Sequence, residues 1–229
     1  MDKGLRVMGL PEDTLLRGNG GQIPLLDIAG AADRLRRGGV VIYPTETFFG
    51  VGCRITDAAA VTRVYQAKRR NVHLPLPVIC GDRRQLDRVA AVDAALEPLL
   101  ERFWPGSLTV LLPARACVPE TVTAGTGTVA ARLSPHAVAR TLALAVGEPL
   151  VSSSANISGR PAVTEPAALD PELLDGVDGV LAAGAAPAGG LPSTLVRMTA
   201  GGRLRVLRVG AVAPACLEAA GFPCVSTDD

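Results

Sequence analysis

The stretch GGVVIYPTETFFGVG (38–52) carries the decision on fold. Gly38-Gly39 stops a helical stretch from Ile28 to Arg37, for which Asp27 is the natural N-cap. Residues 39–44 are a short β-branched run closed by Pro44, and they read as a buried strand. Thr45, Glu46 and Thr47 then place two hydroxyls and a carboxylate straight after that strand. Loops at strand ends are where α/β proteins usually hold ligands. The plain alternative for the same residues is a polar turn with Glu46 in water. Gly50-Val51-Gly52 is a bare GxG and carries no weight alone.

Outward from this stretch the same alternation continues. Asp57 caps a helix through Arg70, PLPVIC (75–80) reads as a strand, and residues 83–103 read as one helical stretch. SLTVLLP (107–113) and TVAARL (128–133) are strands, and Pro135 opens a helix to Ala145. PLVSSS (149–154) is a strand running into a Ser-rich turn. Further strands fall near 177–182, 194–199 and 203–209, the last two joined as a hairpin across Ala200-Gly201-Gly202. Strands interleaved with helices and ending in a hairpin predict an α/β fold with a mixed sheet. Residues 1–22 read as a loose, flexible leader, and AGAAPAGGLP (183–192) as a mobile loop over a site.

At 229 residues and 48% hydrophobic, the chain suits one globular domain burying roughly 70% of its unfolded surface. Lys+Arg number 23 against 22 Asp+Glu, a net charge of +1. That argues against a strongly basic nucleic-acid surface or an acidic tail, and leaves room for a local basic pocket. At 3% aromatic, a stacking platform for single strands is a poor fit. The five cysteines form no CxxC pair and there are two histidines, so no zinc pattern arises. The expectation is scattered buried thiols in a reducing compartment. The first residues lack the apolar run of a signal peptide, and no stretch approaches roughly 18 apolar residues, so a soluble, cytoplasmic protein without membrane contact is expected.

No phosphate-binding GxxxxGK[ST] loop, GxSxG elbow or HExxH is present. QAKRRNVHLPLP (66–77) ends a helix with Lys68, Arg69 and Arg70. Cations there complement the helix dipole; the sharper reading is that Lys68 and Arg70 converge on a polyanion. VSSSANISGRPA (151–162) offers hydroxyls, an amide and backbone N–H groups that can cradle phosphate or carboxylate. WPGSLTVLL (104–112) reads as an aromatic anchor and a core strand, with base stacking by Trp104 the lesser option.

Together these segments resemble the YrdC-like family, the threonylcarbamoyl-AMP synthases. The family's strings occur in order as Pro44–Gly52, Lys68/Arg70 with Pro75-Leu76, Trp104–Thr109, Thr128–Arg132, Ser152–Gly159, Pro192–Thr194 and Leu207–Gly210. The resemblance implies a single YrdC-like catalytic domain over 23–213, of the short form, with a tail at 214–229. Its fold would be a twisted mixed sheet with flanking helices around a basic concave cavity. The implied reaction joins L-threonine, bicarbonate and ATP into threonylcarbamoyl-adenylate and pyrophosphate, for modification of a tRNA adenosine. ATP enters as substrate with Mg2+ on its phosphates, no metal is held by the protein, and partners are tRNA and downstream transferase proteins. By likeness, Lys68 and Arg70 are catalytic, while Arg70, Thr128, Ser152 and Arg208 bind ATP. Thr47, Arg132, Ser154 and Ser193 bind threonine, with Asn156 and Ser158 as additions near the same turn. Departures are Asn71 for proline, Leu74 for a polar residue, Ile79 where some members carry histidine, Ser153 for threonine, and Leu133-Ser134 for x-Pro. Alternatives are a double-stranded RNA-binding module and a carbamoyl-adenylate-forming enzyme, the latter suggested by Ile79.

Overall fold

The computed structural model describes residues 16–225. The part of the leader at 1–15 lies outside them, as do residues 226–229. Leu16–Gly18 (β1) and Gly21–Ile23 (β2) form a small antiparallel hairpin where the flexible leader was expected, with Leu16 buried. Leu25–Leu26 (β3) leads into Ile28–Arg36 (α1), capped by Asp27, which accepts from Gly30 N at 2.7 Å. Val41–Pro44 (β4) then turns back on Phe49–Gly52 (β5), so residues 45–52 are not all loop. Thr45 closes the turn, its N–H and Oγ1 both donating to Phe48 O at 3.1 and 2.6 Å. The two glycines mask this strand in the sequence, yet one is required. A Cβ on Gly52 would stand 1.7 Å from Val151 O.

Ala58–Ala67 (α2), capped by Asp57, precedes Val78–Cys80 (β6). The single helix expected over 83–103 is two helices, Arg83–Val89 (α3) and Glu97–Phe103 (α4), separated by a bridge of Ala90 to Ala114 and a short 3-10 turn. Asp93 makes the break by accepting from Ala95 N at 2.8 Å, which restarts the helical course. Leu108–Pro113 (β7), Glu120–Thr123 (α5), Thr128–Leu133 (β8) and Ala137–Val146 (α6) follow. Leu150–Val151 (β9) and Ser153–Ser154 (β10) come from the single strand expected at 149–154. Then come Pro171–Leu174 (α7), Val180–Leu181 (β11) and the expected hairpin of Thr194–Met198 (β12) with Leu204–Arg208 (β13). Residues 214–225 add Pro214–Ala219 (α8) and Cys224–Val225 (β14), which pairs with β13.

The larger sheet runs β14-β13-β12-β7-β8-β6-β9 and the smaller β10-β5-β4-β11-β3, both of mixed direction. Residues 150–154 stitch them together: Leu150 and Val151 pair with β6, Ser153 and Ser154 with β5, and Ser152 sits at the crossing. Strand β4 shows why both of its faces must be apolar. Val40 and Ile42 enter the main core, while Val41 and Tyr43 enter a second cluster with Leu35 of α1 and Leu142 of α6.

Cys53 and Cys80 are buried as expected, but Cys117 and Cys216 are exposed and Cys224 is half-buried, a correction to the scattered buried thiols. Cys117 lies in a surface turn and Cys216 on the outer face of α8, beyond the main core. Among the described residues no helix is long and apolar enough to cross a membrane.

Candidate active site

The stitch between the sheets opens a cavity of about 140 Å³. Its floor is the turn of the β4–β5 hairpin, with Thr45, Thr47 and Gly50. One wall is Ser152, Ser153 and Ser154, and the opposite side carries Ser193 beside Arg208 at the end of β13. Arg70 and Arg132 complete it, so three guanidiniums face one concavity.

Each arginine is braced by the protein over part of its fork. Arg208 donates from Nε and Nη2 to Ser193 O at 3.1 and 2.8 Å, and from Nη2 to Ser193 Oγ at 3.2 Å. Ser193 Oγ in turn lies 2.7 Å from the buried Thr109 Oγ1. Arg70 donates from Nε to Leu74 O at 3.3 Å and from Nη2 to Pro75 O at 3.0 Å. Arg132 Nε stands 3.1 Å from Glu46 Oε1. Burial, then the charges of Arg132 and Arg70, lower the pKa of Arg208, and burial lowers that of Arg70. Guanidinium groups are cations at neutral pH, and three of them facing one concavity make it a seat for anions.

Lys68 takes a different direction from Arg70. Helix α2 ends in a Schellman turn: Arg70 N donates to Tyr65 O at 2.9 Å, Arg69 N to Gln66 O at 3.0 Å, and Arg69 holds φ 50°. The left-handed residue between them separates the two side chains. Lys68, 2% exposed, donates from Nζ to Ser154 O and to Asn156 O, the latter at 2.8 Å, and is absent from the cavity lining. Burial, with Arg70 second, pulls its ammonium down to about 7. Its backbone O accepts from Ser158 N at 2.8 Å, so Lys68 clamps the serine-rich turn from behind.

Seven of the expected site residues therefore meet at the cavity: Thr47, Arg70, Arg132, Ser152, Ser154, Ser193 and Arg208. Asn156 lies on the far side of the turn, bordering a groove with Arg160 and Asp170, and Ser158 is exposed. Thr128 stands at the opposite end of β8 from Arg132, four residues at about 3.3 Å each, and borders a separate groove. Trp104 is an anchor, as its sequence context suggests, donating from Nε1 to Leu108 O at 2.7 Å. Ile79 is fully buried in the second cluster and does not reach the cavity. The segment 183–192, expected as a mobile loop, is tied to the floor: Ala188 N donates to Glu46 O at 3.1 Å and Gly189 N to Thr47 O at 2.7 Å. Thr45 and Ser153, named in the sequence without a substrate role, also line the cavity, while the backing Thr109 was missed although it stands inside a quoted motif.

Comparison with known proteins converges on one family. The Sua5/YciO/YrdC sequence pattern, described as telomere recombination, matches residues 33–210. The chain is 41% identical over 160 residues to the threonylcarbamoyl-AMP synthase of Xanthomonas euvesicatoria pv. vesicatoria (strain 85-10), covering 68% of this chain and 85% of that relative. The crystal structure of P. abyssi Sua5 complexed with L-threonine matches with a TM-score of 0.80 and 32% identity. That match takes in 86% of this chain and 58% of the P. abyssi chain, so this protein spans less than two thirds of that one. The E. coli YciO structure matches with a TM-score of 0.71 and 27% identity, over 80% of this chain and 89% of YciO.

Proposed function

The chain belongs to the Sua5/YciO/YrdC family, and from that premise we propose that it is a threonylcarbamoyl-AMP synthase. It joins L-threonine, bicarbonate and ATP into L-threonylcarbamoyladenylate and releases pyrophosphate. The observation that carries this reading is the meeting of three arginines with a serine and threonine lining in one cavity.

In this reading Arg132 meets the threonine carboxylate with its fork, while Thr47, Ser154 and Ser193 supply hydroxyls for the rest of that substrate. Arg70, Arg208 and Ser152 meet the phosphates. Bicarbonate loses water to become carbon dioxide, and the threonine amine takes this up as a carbamate, the proton released by the amine balancing the one that the dehydration consumes. A carbamate oxygen then bonds to the α-phosphorus, the bond to the β-phosphate oxygen breaks, and pyrophosphate leaves with the electron pair. Charge builds on the α-phosphoryl oxygens and on the leaving group, where fixed guanidiniums act without reorganising. No covalent nucleophile is needed. Lys68 serves by holding the 154–156 turn in shape, and Asn156 and Ser158 belong to that turn's support rather than to the substrate.

No group of three or more His, Cys, Asp or Glu able to hold a metal occurs among the described residues. Glu46 is engaged by Arg132 and Ser134. These residues do not fit a protein-held cation, so Mg2+ would arrive on the ATP phosphates. The adenylate would pass to transferase proteins that modify tRNA. The test is pyrophosphate release from ATP with threonine and bicarbonate each present or omitted. Release that needs both supports the proposal, and release without threonine contradicts it.

A further inference from the structure

Glu46 does not line the cavity, yet its side chain is only 12% exposed and Arg132's only 7%. A charge pair so far from water is stable only when its remaining atoms find partners. Glu46 Oε1 faces Arg132 Nε at 3.1 Å as an ion pair without aligned hydrogen-bond geometry. Glu46 Oε2 accepts from Ser134 Oγ at 2.6 Å, and Ser134 Oγ also accepts from His136 N at 3.2 Å. The backbone of Glu46 is held as well, its O accepting from Ala188 N at 3.1 Å. Ser134 thus holds the far oxygen of the carboxylate and Ala188 holds the Glu46 backbone, and the guanidinium facing the other oxygen shares in that fixity.

We propose that Glu46 and Ser134 are a positioning pair that sets the plane of the Arg132 guanidinium for the threonine carboxylate. The proposal rests on the threonine-site reading above. With Nε turned to Glu46, the two Nη groups are the part of the fork left to meet a carboxylate. A free arginine spreads over many rotamers, and one held in plane loses less freedom when its substrate arrives. Neither Glu46 nor Ser134 touches substrate in this scheme. Their effect is confined to the interaction Arg132 makes, namely recognition of the carboxylate.

The test compares affinities for L-threonine and L-threoninol, which lacks the carboxylate, by titration calorimetry on the whole protein. Wild type prefers threonine. Glu46→Gln reduces that preference about tenfold, and Ser134→Ala, which keeps both charges, about threefold. Threoninol affinity stays within about twofold, because a general collapse of the site would weaken both ligands alike. If Glu46→Gln does not fold, Ser134→Ala decides. A threonine-to-threoninol ratio unchanged in every folded variant overturns the positioning pair alone. A wild type that does not distinguish the two ligands overturns the threonine-site reading and the pair with it.

Discussion

At the Arg132 end of β8 three arginines surround a cavity of about 140 Å³, whereas the Thr128 end borders a groove of about 470 Å³ walled by Leu96, Leu111, Leu112 and Met198. The larger space has the weaker claim to chemistry. Its polar groups, Asp93, Thr128, Arg197 and Thr199, are spread around an apolar wall, and only one guanidinium, that of Arg197, lines it, although Thr128 Oγ1 is backed by Thr126 Oγ1 at 2.9 Å. Behind the smaller space each guanidinium is braced, and Thr109 backs Ser193. What distinguishes a reacting site is convergent charge held before the substrate comes, rather than volume.

The comparison breaks most sharply at Arg132. Arg132→Ala should lower kcat/KM for threonine by about 100-fold or more, since a charge-assisted fork is lost and Glu46 is left buried without its partner. Steady-state pyrophosphate release against threonine concentration measures this, and a loss below about threefold would detach Arg132 from the substrate. Arg70→Ala and Arg208→Ala come next, each raising KM for ATP about tenfold with less effect on threonine, checked by the same assay with ATP varied.

Lys68 sharpens the contrast between two cations two residues apart. Its pKa is about 7 in the fold against an ordinary 10.5, so below about 7 both folded and unfolded chains hold the proton and the cost of burying the ammonium is fully present. Between about 7 and 10.5 the unfolded chain keeps a proton that the folded protein has released, and stability rises with pH. Melting temperatures from about pH 6.5 to 9.5 should therefore climb for wild type relative to Lys68→Met. A constant difference would mean that the two carbonyl acceptors hold Lys68 charged throughout. The smallest effect belongs to the other end of β8: Thr128→Ala should change pyrophosphate release by less than about twofold. A larger loss, confined to KM for ATP, would extend the nucleotide along β8 and redraw the comparison.

Much of the scaffold was legible because its signals are local. Asp27 and Asp57 cap the helices they were expected to cap, and the apolar run of β4 and the Gly-Gly turn between β12 and β13 stand where the pattern puts them. Long-range pairing was not legible. Nothing in PLVSSS says that Val151 and Ser153 join different sheets, and FGVG hides a strand whose Gly52 answers to Val151 across the sheet. The motifs located the cavity, but side-chain direction lay beyond them. Lys68 and Arg70 look alike in QAKRR until the left-handed Arg69 parts them, and Thr128 and Arg132 share one string while a strand's length divides them.

The most direct test of the central claim is product analysis. Wild-type protein is incubated with ATP, L-threonine and 13C-bicarbonate, and the adenylates are read by mass spectrometry. The account predicts L-threonylcarbamoyladenylate carrying the label, formed by Thr128→Ala as by wild type and lost with Arg132→Ala. Labelled product that persists undiminished in Arg132→Ala, or no such adenylate from folded wild type, would contradict it.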